Sequence, residues 1–458
     1  MSIRGQDSGF RGQGLALLLC LSLFAFPARA AVFHAQEFTL ANGLQVVVAP
    51  NHLSPALTLM VWYRVGSSDD PQGASGVAHY LEHMMFKGTA AVPAGAFSAT
   101  IAAQGGQDNA FTSYDETAYH EAVAKDRLPL VMALEADRMR GLLVAPELAV
   151  PELAVVLSER QERTDNSPRG LFEEKMRATL FPAHPYGRPV IGHRAEIEKI
   201  TPEMARAFYR AHYAPSNAIL VIGGDVEAAE VLRLAAGTFG RLEPEKRAPR
   251  AKLPPAPLPA APRVDMFDAR VTQPLLTRRI VAPSRMEKAE ESYALEVVAE
   301  ALAGGEVGVL YRQLVMDDGA ASAFDIAYSP DTRGPATFSF ITTPSPGVSV
   351  AVLEMKMEAA LRALARRGLS AREIAAAKGR LVDGAVFARD SLTAAAQIIG
   401  SALVVGEKLE DVEGWPERIA AVTPARANAA LCALLSNPRH VTGLLAPAPA
   451  GSKAEAGR

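Results

Sequence analysis

Residues 76–89 read GVAHYLEHMMFKGT, and this stretch carries the pattern on which the predicted fold and chemistry depend. Its composition predicts a helix that Gly88 stops. On a helix, His79 and His83 lie four residues apart and project from one face, one turn above the other. That spacing lets two imidazoles bind one zinc ion. Glu82 stands beside the same face, where it can take a proton from water without being a ligand.

The order H-x-x-E-H is the reverse of the H-E-x-x-H order found on other zinc-binding helices. The alternative is a solvated helix with scattered histidines. Five large apolar side chains in the same stretch argue against that alternative, because they predict a buried segment: Tyr80, Leu81, Met84, Met85 and Phe86. Two buried imidazoles and a buried carboxylate need partners.

A catalytic zinc site needs a third protein ligand and an open position for water. Residues 152–159, ELAVVLSE, predict a helix on which Glu152 and Glu159 lie two turns apart on one face. The surface between them is apolar, so this helix is predicted to be buried and its acids need an explanation. Glu152 follows Pro151 and fits a helix N-terminus, where a carboxylate is favoured. That explanation does not cover Glu159.

The composition excludes several classes of protein. The chain has 458 residues, of which 49% are hydrophobic and 21% are charged, so it is globular rather than disordered. With 47 basic and 50 acidic residues it has no electrostatic footprint for nucleic acid. Its cysteines, Cys20 and Cys432, are too few for a disulfide framework or a cysteine-based zinc module.

The first thirty residues predict a cleavable secretory signal. Arg4 and Arg11 form a basic start, an apolar run spans residues 15–26, and residues 27–30, PARA, end in an A-x-A cleavage signature. The alternative, a buried core helix, fits this combination less well. We therefore expect a mature chain that starts at Ala31 and is exported, to the periplasm or beyond. No other stretch reaches the length of a membrane span.

The mature chain is predicted to contain two similar α+β domains. Residues 36–64 predict two strands, the first of them after an Asn42-Gly43 turn. Residues 243–263 contain seven prolines and predict an extended linker between domains at 31–242 and 264–447. Late strands at 215–222 and 437–444 resemble each other, which indicates a duplication. The tail, 448–458, is predicted to be disordered.

The chain resembles the insulinase/pitrilysin family of zinc peptidases, and most closely its half-length branch, which includes mitochondrial processing peptidase. The likeness runs through most of the N-terminal half. The matching residues are Thr39–Leu44, Val65–Ser67, Gly76–Thr89, Asn109–Ser113 and His184–Gly187.

The resemblance implies a role for each site residue. His79 and His83 would be ligands of one Zn²⁺ per chain, and Glu82 the general base. The family's third ligand, about 77 residues beyond the base, falls on Glu159, and the acid that supports the ligands falls on Glu152.

The resemblance also implies a substrate-binding edge strand, in which Asn109 would orient the scissile peptide. The matching residues are Asn109, Ala110, Phe111 and Thr112. The alternative is an ordinary buried strand. Each α/β-sandwich-type domain would form part of a clam-shell chamber.

The C-terminal half departs from the family pattern. Members that cleave alone carry an arginine and a tyrosine there, which grip the substrate and stabilise the oxyanion. In this chain the arginine position falls on Val309 and the tyrosine position on Ser322. Arg312 and Tyr328 lie nearby in the sequence and are possible substitutes.

The sequence thus predicts a zinc endopeptidase subunit that hydrolyses unfolded peptides by metal-activated water. A second subunit of the same family is expected to supply the arginine and tyrosine, so a heterodimer is favoured over a homodimer. The main alternative is a catalytically idle structural or assembly subunit with the same fold. Loss of one of the four motif residues would favour that alternative, and all four are present. A metal-storage or metal-sensing protein is the third possibility, to which a single site beside a general base is poorly suited.

Overall fold

The structure, a computed structural model, describes residues 31–245 and 250–449. The predicted signal peptide and most of the predicted disordered tail lie outside the described residues. No helix within these ranges combines the length and the apolar composition that a bilayer crossing requires.

The N-terminal half contains one mixed sheet and the helices that pack on it. Its strands are β1 (Gln36–Thr39), β2 (Gln45–Pro50), β3 (Ala56–Tyr63), β4 (Gln107–Thr112), β5 (Thr117–Ala124) and β6 (Ala218–Gly224). Its helices are α1 (Val77–Met84), α2 (Ala96–Ala103), α3 (Leu128–Gly141), α4 (Pro146–Arg160), α5 (Pro168–Leu180), α6 (Arg194–Ile197), α7 (Pro202–His212) and α8 (Ala228–Gly237).

The C-terminal half repeats this arrangement with a second sheet. Its strands are β7 (Arg263–Asp268), β8 (Leu275–Ala282), β9 (Ala321–Tyr328), β10 (Ala336–Pro344) and β11 (His440–Pro447). Its helices are α9 (Arg285–Ala303), α10 (Val309–Tyr311), α11 (Val350–Arg367), α12 (Ala371–Ala388), α13 (Ala394–Val405), α14 (Leu409–Glu413), α15 (Trp415–Ala420) and α16 (Pro424–Leu435).

The two sheets have the same topology, except that β1 has no counterpart in the second sheet. The first has the order β1-β2-β6-β3-β5-β4 and the second the order β7-β11-β8-β10-β9. β2 pairs with β6 in parallel in the first sheet, and β7 pairs with β11 in parallel in the second. The other neighbouring strands of both sheets pair antiparallel. β6 and β11 are the two late strands whose sequences resemble each other, and they occupy equivalent positions in the two sheets. The prediction of a duplicated α+β fold is confirmed.

One helix of each half packs on the sheet of the other half. One face of the first sheet packs against α13, where Trp62 contacts the backbone of α13 so closely that a side chain at Gly400 would overlap its indole ring. In return, α5 of the N-terminal half packs on β11 and β7 through Phe172 and Met176. This exchange buries apolar surface from both halves and joins them into one body.

A polar junction ties the loops of the two halves together. The Tyr186 hydroxyl donates to Asp115 and accepts from the backbone N–H of Gly334 at 3.0 Å. The backbone N–H of Arg333 also donates to Asp115, at 3.0 Å. Tyr186 belongs to the His184–Gly187 motif, so this part of the family likeness contributes to the joint between the halves.

Some element boundaries differ from the predictions. Residues 36–64 form three strands rather than two, because β1 pairs with β2 across the Asn42-Gly43 turn. The helix that carries the two histidines ends at Met84, before the predicted stop at Gly88. Within its described residues, the predicted linker contains no helix or strand before β7 begins. It contacts the N-terminal half, where the backbone N–H of Ala260 donates to the carbonyl oxygen of Thr179 at 2.8 Å.

Candidate metal centre and substrate cleft

The N-terminus of α1 is fixed by a buried carboxylate. Asp70 accepts hydrogen bonds from the backbone N–H groups of Gly76, at 2.7 Å, and Ala78, at 3.0 Å. Burial raises the pKa of Asp70 to about 7, although both hydrogen bonds favour its charged form. Gly76 has a φ of 93°, and a Cβ there would lie 2.5 Å from the carbonyl oxygen of Ile191. The helix start is therefore fixed in place.

The two histidines and Glu159 converge. The imidazole rings of His79 and His83 have centroids 4.9 Å apart. Their Nε2 atoms lie 3.7 Å and 3.2 Å from Oε2 of Glu159, which α4 carries. One possible ligand atom from each residue lies within 4.8 Å of the other two. The structure thus brings together the three residues that the sequence nominated as ligands.

Glu152, two turns before Glu159 on α4, forms a hydrogen bond with His83. The Nδ1–H of His83 donates to Glu152 at 2.9 Å, and Lys87 donates to the other carboxylate oxygen at 2.5 Å. A histidine whose Nδ1–H is held by a carboxylate presents its Nε2 lone pair to a metal. Burial raises the pKa of Glu152, but the hydrogen bonds from His83 and Lys87 outweigh it and lower the pKa overall.

The electrostatics of the two imidazoles differ. Burial, together with the nearby positive charge of His83, lowers the pKa of His79 to about 4. For His83, burial acts in the same direction, but the hydrogen bonds to Glu152 and Glu159 outweigh it and raise the pKa to about 9. A metal ion binds the neutral form of both rings, so it would have to displace a proton from His83.

Glu82 lies beside the predicted ligands and accepts a hydrogen bond from β4. The Thr112 hydroxyl donates to Oε2 of Glu82 at 2.5 Å. Burial raises the pKa of Glu82, although the hydrogen bond from Thr112 opposes this. A carboxylate with a raised pKa is better matched to proton transfer near neutral pH than an ordinary glutamate. The sequence predicted Thr112 only as part of the substrate strand. Its contact with Glu82 could not be predicted, because residues thirty positions apart leave no local pattern.

The predicted substrate strand lies at the edge of the first sheet. β4 is the last strand in the sheet order and hydrogen-bonds to β5 on one side. Asn109 is exposed and its side-chain oxygen accepts from the backbone N–H of Ala110 at 2.8 Å. Phe111 packs edge-on against Trp62, with ring centroids 5.4 Å apart. The segment is therefore a partly exposed edge strand, not an ordinary buried one.

The predicted substrate strand and the three predicted metal ligands line one cavity of about 420 Å³. Its walls come from α1, β4, α4 and the residues that follow these helices. The lining residues are His79, Glu82, His83, Phe86, Lys87, Asn109, Ala110, Phe111, Thr112, Glu152, Glu159 and Arg163. Every site residue that the sequence nominated in the N-terminal half lies here.

The donor set fits zinc. Two imidazole nitrogens and one carboxylate oxygen are a ligand set that catalytic zinc sites use, with a fourth position open. Within residues 31–245 and 250–449, no other three side chains form a comparable group. Oε1 of Glu159 is also bonded, to Arg163 at 2.7 Å. Arg163 was missed by the sequence analysis, although its position four residues after Glu159 on a helical segment was a usable signal.

The residues nominated in the C-terminal half lie on and before β9. The Ser322 hydroxyl points to backbone carbonyls at 3.3 Å and 3.4 Å. The Tyr328 hydroxyl donates to the carbonyl of Pro283 at 2.7 Å, and its ring packs on Phe338. Both the hydroxyl and the ring of Tyr328 thus make contacts within the C-terminal half. Arg312 is exposed.

This fold and this site define the class of zinc metallopeptidases with the inverted H-x-x-E-H motif. The chain belongs to the insulinase family, peptidase family M16: the family model described as insulinase matches residues 45–194. A second model, described as the inactive domain of the same peptidase family, matches residues 199–381.

Several relatives are similar over most of the chain. The zinc protease PqqE of Helicobacter pylori is 30% identical over 78% of this chain and 82% of its own length. An uncharacterized zinc protease of Streptomyces coelicolor is 29% identical over 84% of each chain. Among solved structures, a protease from Helicobacter pylori has a TM-score of 0.82 at 26% identity, covering 90% of this chain and 99% of its own. The periplasmic protease PqqL of Escherichia coli shares the fold, with a TM-score of 0.75 at 20% identity over 90% of this chain and 47% of its own.

Glu152→Gln is expected to weaken zinc binding by about 10–100-fold without unfolding the protein, the usual effect of removing a group that orients a ligand. The glutamine amide fills the same space, but it does not balance the positive charge of Lys87. It also accepts the hydrogen bond from the Nδ1–H of His83 more weakly than a carboxylate does. Competition with a fluorescent zinc chelator measures the change. The matched control is Glu147→Gln, on the exposed first turn of the same helix. Equal zinc affinity in the two variants would remove Glu152 from this role.

Proposed function

We propose that this chain is the metal-binding subunit of a zinc-dependent endopeptidase that hydrolyses unfolded peptides. The observation that supports this most directly is the convergence of His79, His83 and Glu159, with Glu82 held 2.5 Å from Thr112 beside them. The family's zinc protease members support the same activity. The idle structural subunit is the weaker candidate, because a half-buried base beside a complete set of proposed ligands has no structural use without a metal.

The chain's own residues divide the work. His79, His83 and Glu159 would hold a zinc ion, which supplies polarisation of the peptide carbonyl and activation of water. Glu82 accepts the proton of the attacking water and passes it to the leaving amine nitrogen. Thr112 keeps the Glu82 carboxylate in place during both transfers.

The free edge of β4 would bind the substrate. An extended peptide can add to an exposed strand by main-chain hydrogen bonds, which requires the peptide to be unfolded. Asn109 is exposed on this edge and would orient the scissile peptide group. The proposed metal ligands and this strand both belong to the N-terminal half of the chain.

A partner subunit would complete the chamber. Neither Val309 nor Ser322 can replace an arginine and a tyrosine, and the Tyr328 hydroxyl is already bonded within its own domain. The first half of the longer PqqL chain has the same fold as this chain. We therefore propose a heterodimer in which a second family member faces this cleft and supplies both groups, and a homodimer is less favoured.

The chain is proposed to act outside the cytoplasm. The predicted signal in residues 1–30 supports export, and PqqL, which shares the fold, is described as a periplasmic protease. A periplasmic or secreted peptidase would meet unfolded peptides in that compartment.

The isolated chain is expected to cleave unfolded peptides very slowly or not at all, and addition of the partner is expected to restore cleavage. The reason is the missing oxyanion donor, which is often worth 10²–10³ in turnover. The experiment purifies the tagged chain from its native cells, identifies the co-purifying subunit, and measures cleavage of a fluorogenic peptide by each protein and by the mixture. Homogeneous chain that turns over at about 10 s⁻¹, an ordinary enzyme rate, would contradict the partner proposal. Arg312 would then be the first residue to replace.

A further inference from the structure

Arg163 is a cationic side chain on the wall of the metal cavity. It lies in the short helical segment Gln161–Asp165 that continues α4, and its side chain is 74% exposed. One terminal nitrogen lies 2.7 Å from Oε1 of Glu159. A guanidinium has five N–H donors, so this single contact leaves most of them facing the cavity and solvent.

The cavity wall has two cationic side chains, Lys87 and Arg163, and Arg163 is the more available to a substrate. Lys87 is bonded to Glu152 at 2.5 Å and is only 31% exposed. The cavity wall thus carries Lys87 and Arg163 against three carboxylates, those of Glu82, Glu152 and Glu159. A bound divalent ion would leave the site with one net positive charge, which favours an anionic group in the substrate.

The geometry of β4 places substrate side chains beside this charge. Thr112 points to the side of the sheet where Glu82 lies, because its hydroxyl donates to that carboxylate. Side chains alternate along a strand, so every second side chain of a peptide paired with β4 would face the same side. That side carries α1 and α4, and the cavity between them reaches Arg163.

We propose that Arg163 is a specificity-determining residue that favours peptides with an aspartate or glutamate close to the scissile bond. This inference rests on the proposed binding of peptides along β4. A planar guanidinium with free donors matches a carboxylate in two-pronged geometry, which an ammonium group or a neutral side chain does not. The alternative role, in which Arg163 only holds Glu159 in place, predicts no preference among peptides.

Peptide binding in the absence of cleavage tests the proposal. The probe is a fluorescent, unstructured ten-residue peptide in which a single glutamate is moved through all positions, and each version is compared with glutamine at the same position. Binding to the zinc-loaded Glu82→Gln protein, together with any partner that co-purifies, is measured by anisotropy. At one or two positions the glutamate peptide is expected to bind about fivefold more tightly, the scale of a partly exposed ion pair.

Three variants in the same background decide the result. Arg163→Gln is expected to abolish the preference, Arg163→Lys to keep part of it, and Arg169→Gln, an exposed arginine on the first turn of α5, to leave it unchanged. Zinc content is measured on each sample, so that loss of metal is separated from loss of recognition; if Arg163→Gln lacks zinc, Arg163→Lys is the deciding comparison. Equal binding of glutamate and glutamine peptides, or a preference that survives Arg163→Gln, would overturn the inference and leave the proposed function standing. Failure of every peptide to bind would instead contradict the proposed function.

Discussion

Glu82→Gln is expected to lower peptide cleavage by the active complex at least ~100-fold, the scale on which general bases contribute. Glutamine has nearly the same shape but cannot accept the proton of the attacking water. Glu82 is not among the three converging residues that are the proposed ligands, so zinc is expected to remain at one ion per chain. Steady-state cleavage of a fluorogenic peptide and elemental analysis of the same sample measure both quantities.

The matched control for this variant is Glu162→Gln, an exposed glutamate near the cavity that none of the proposed steps uses. It is expected to cleave at the wild-type rate. Near-normal turnover by Glu82→Gln would show that another group moves the proton and would refute the mechanism. Loss of zinc from Glu82→Gln would show instead that this carboxylate is a ligand.

Glu159→Gln is expected to lose most of its zinc while the protein stays folded. An amide oxygen is a much weaker zinc ligand than a carboxylate, and the two remaining imidazoles form an incomplete site. Elemental analysis after dialysis against metal-free buffer measures zinc occupancy, and circular dichroism with thermal unfolding measures the fold. Cleavage is expected to disappear with the metal.

The outcome of Glu159→Gln separates two roles for this residue. Glu162→Gln again serves as control, since it removes one charge from the same segment without touching the ligands. One zinc per chain in Glu159→Gln would remove Glu159 from the ligand set. Glu152 could not simply take its place, because its carboxylate already bonds to both His83 and Lys87.

The parts of the site that follow local periodicity could be predicted from the sequence. His79 and His83 share a face because they lie one turn apart on a helix, and Glu152 and Glu159 share a face because they lie two turns apart. The pairing of these two helices came from the resemblance to a family. The roles of the individual residues remain predictions, which the variants above test.

The contacts between distant segments could not be predicted. Asp70 caps α1 and Thr112 bonds to Glu82, but neither contact leaves a pattern, because each depends on how the sheet and the helices are placed. The composition of α13, nearly all apolar, predicts burial but not that its partner is the sheet of the other half. Tertiary packing decides such pairings, and single-sequence patterns do not contain it.

Zinc-edge anomalous diffraction from crystals of the full mature chain is the most direct test of the proposed zinc site. We expect a single strong peak about 2.0–2.2 Å from one nitrogen each of His79 and His83 and from a carboxylate oxygen of Glu159, the usual zinc distances. Glu82 is expected to stay outside that distance, with its hydrogen bond to Thr112 intact. Absence of anomalous density between these three residues in zinc-saturated crystals, or a peak coordinated by other side chains, would contradict the proposed zinc site.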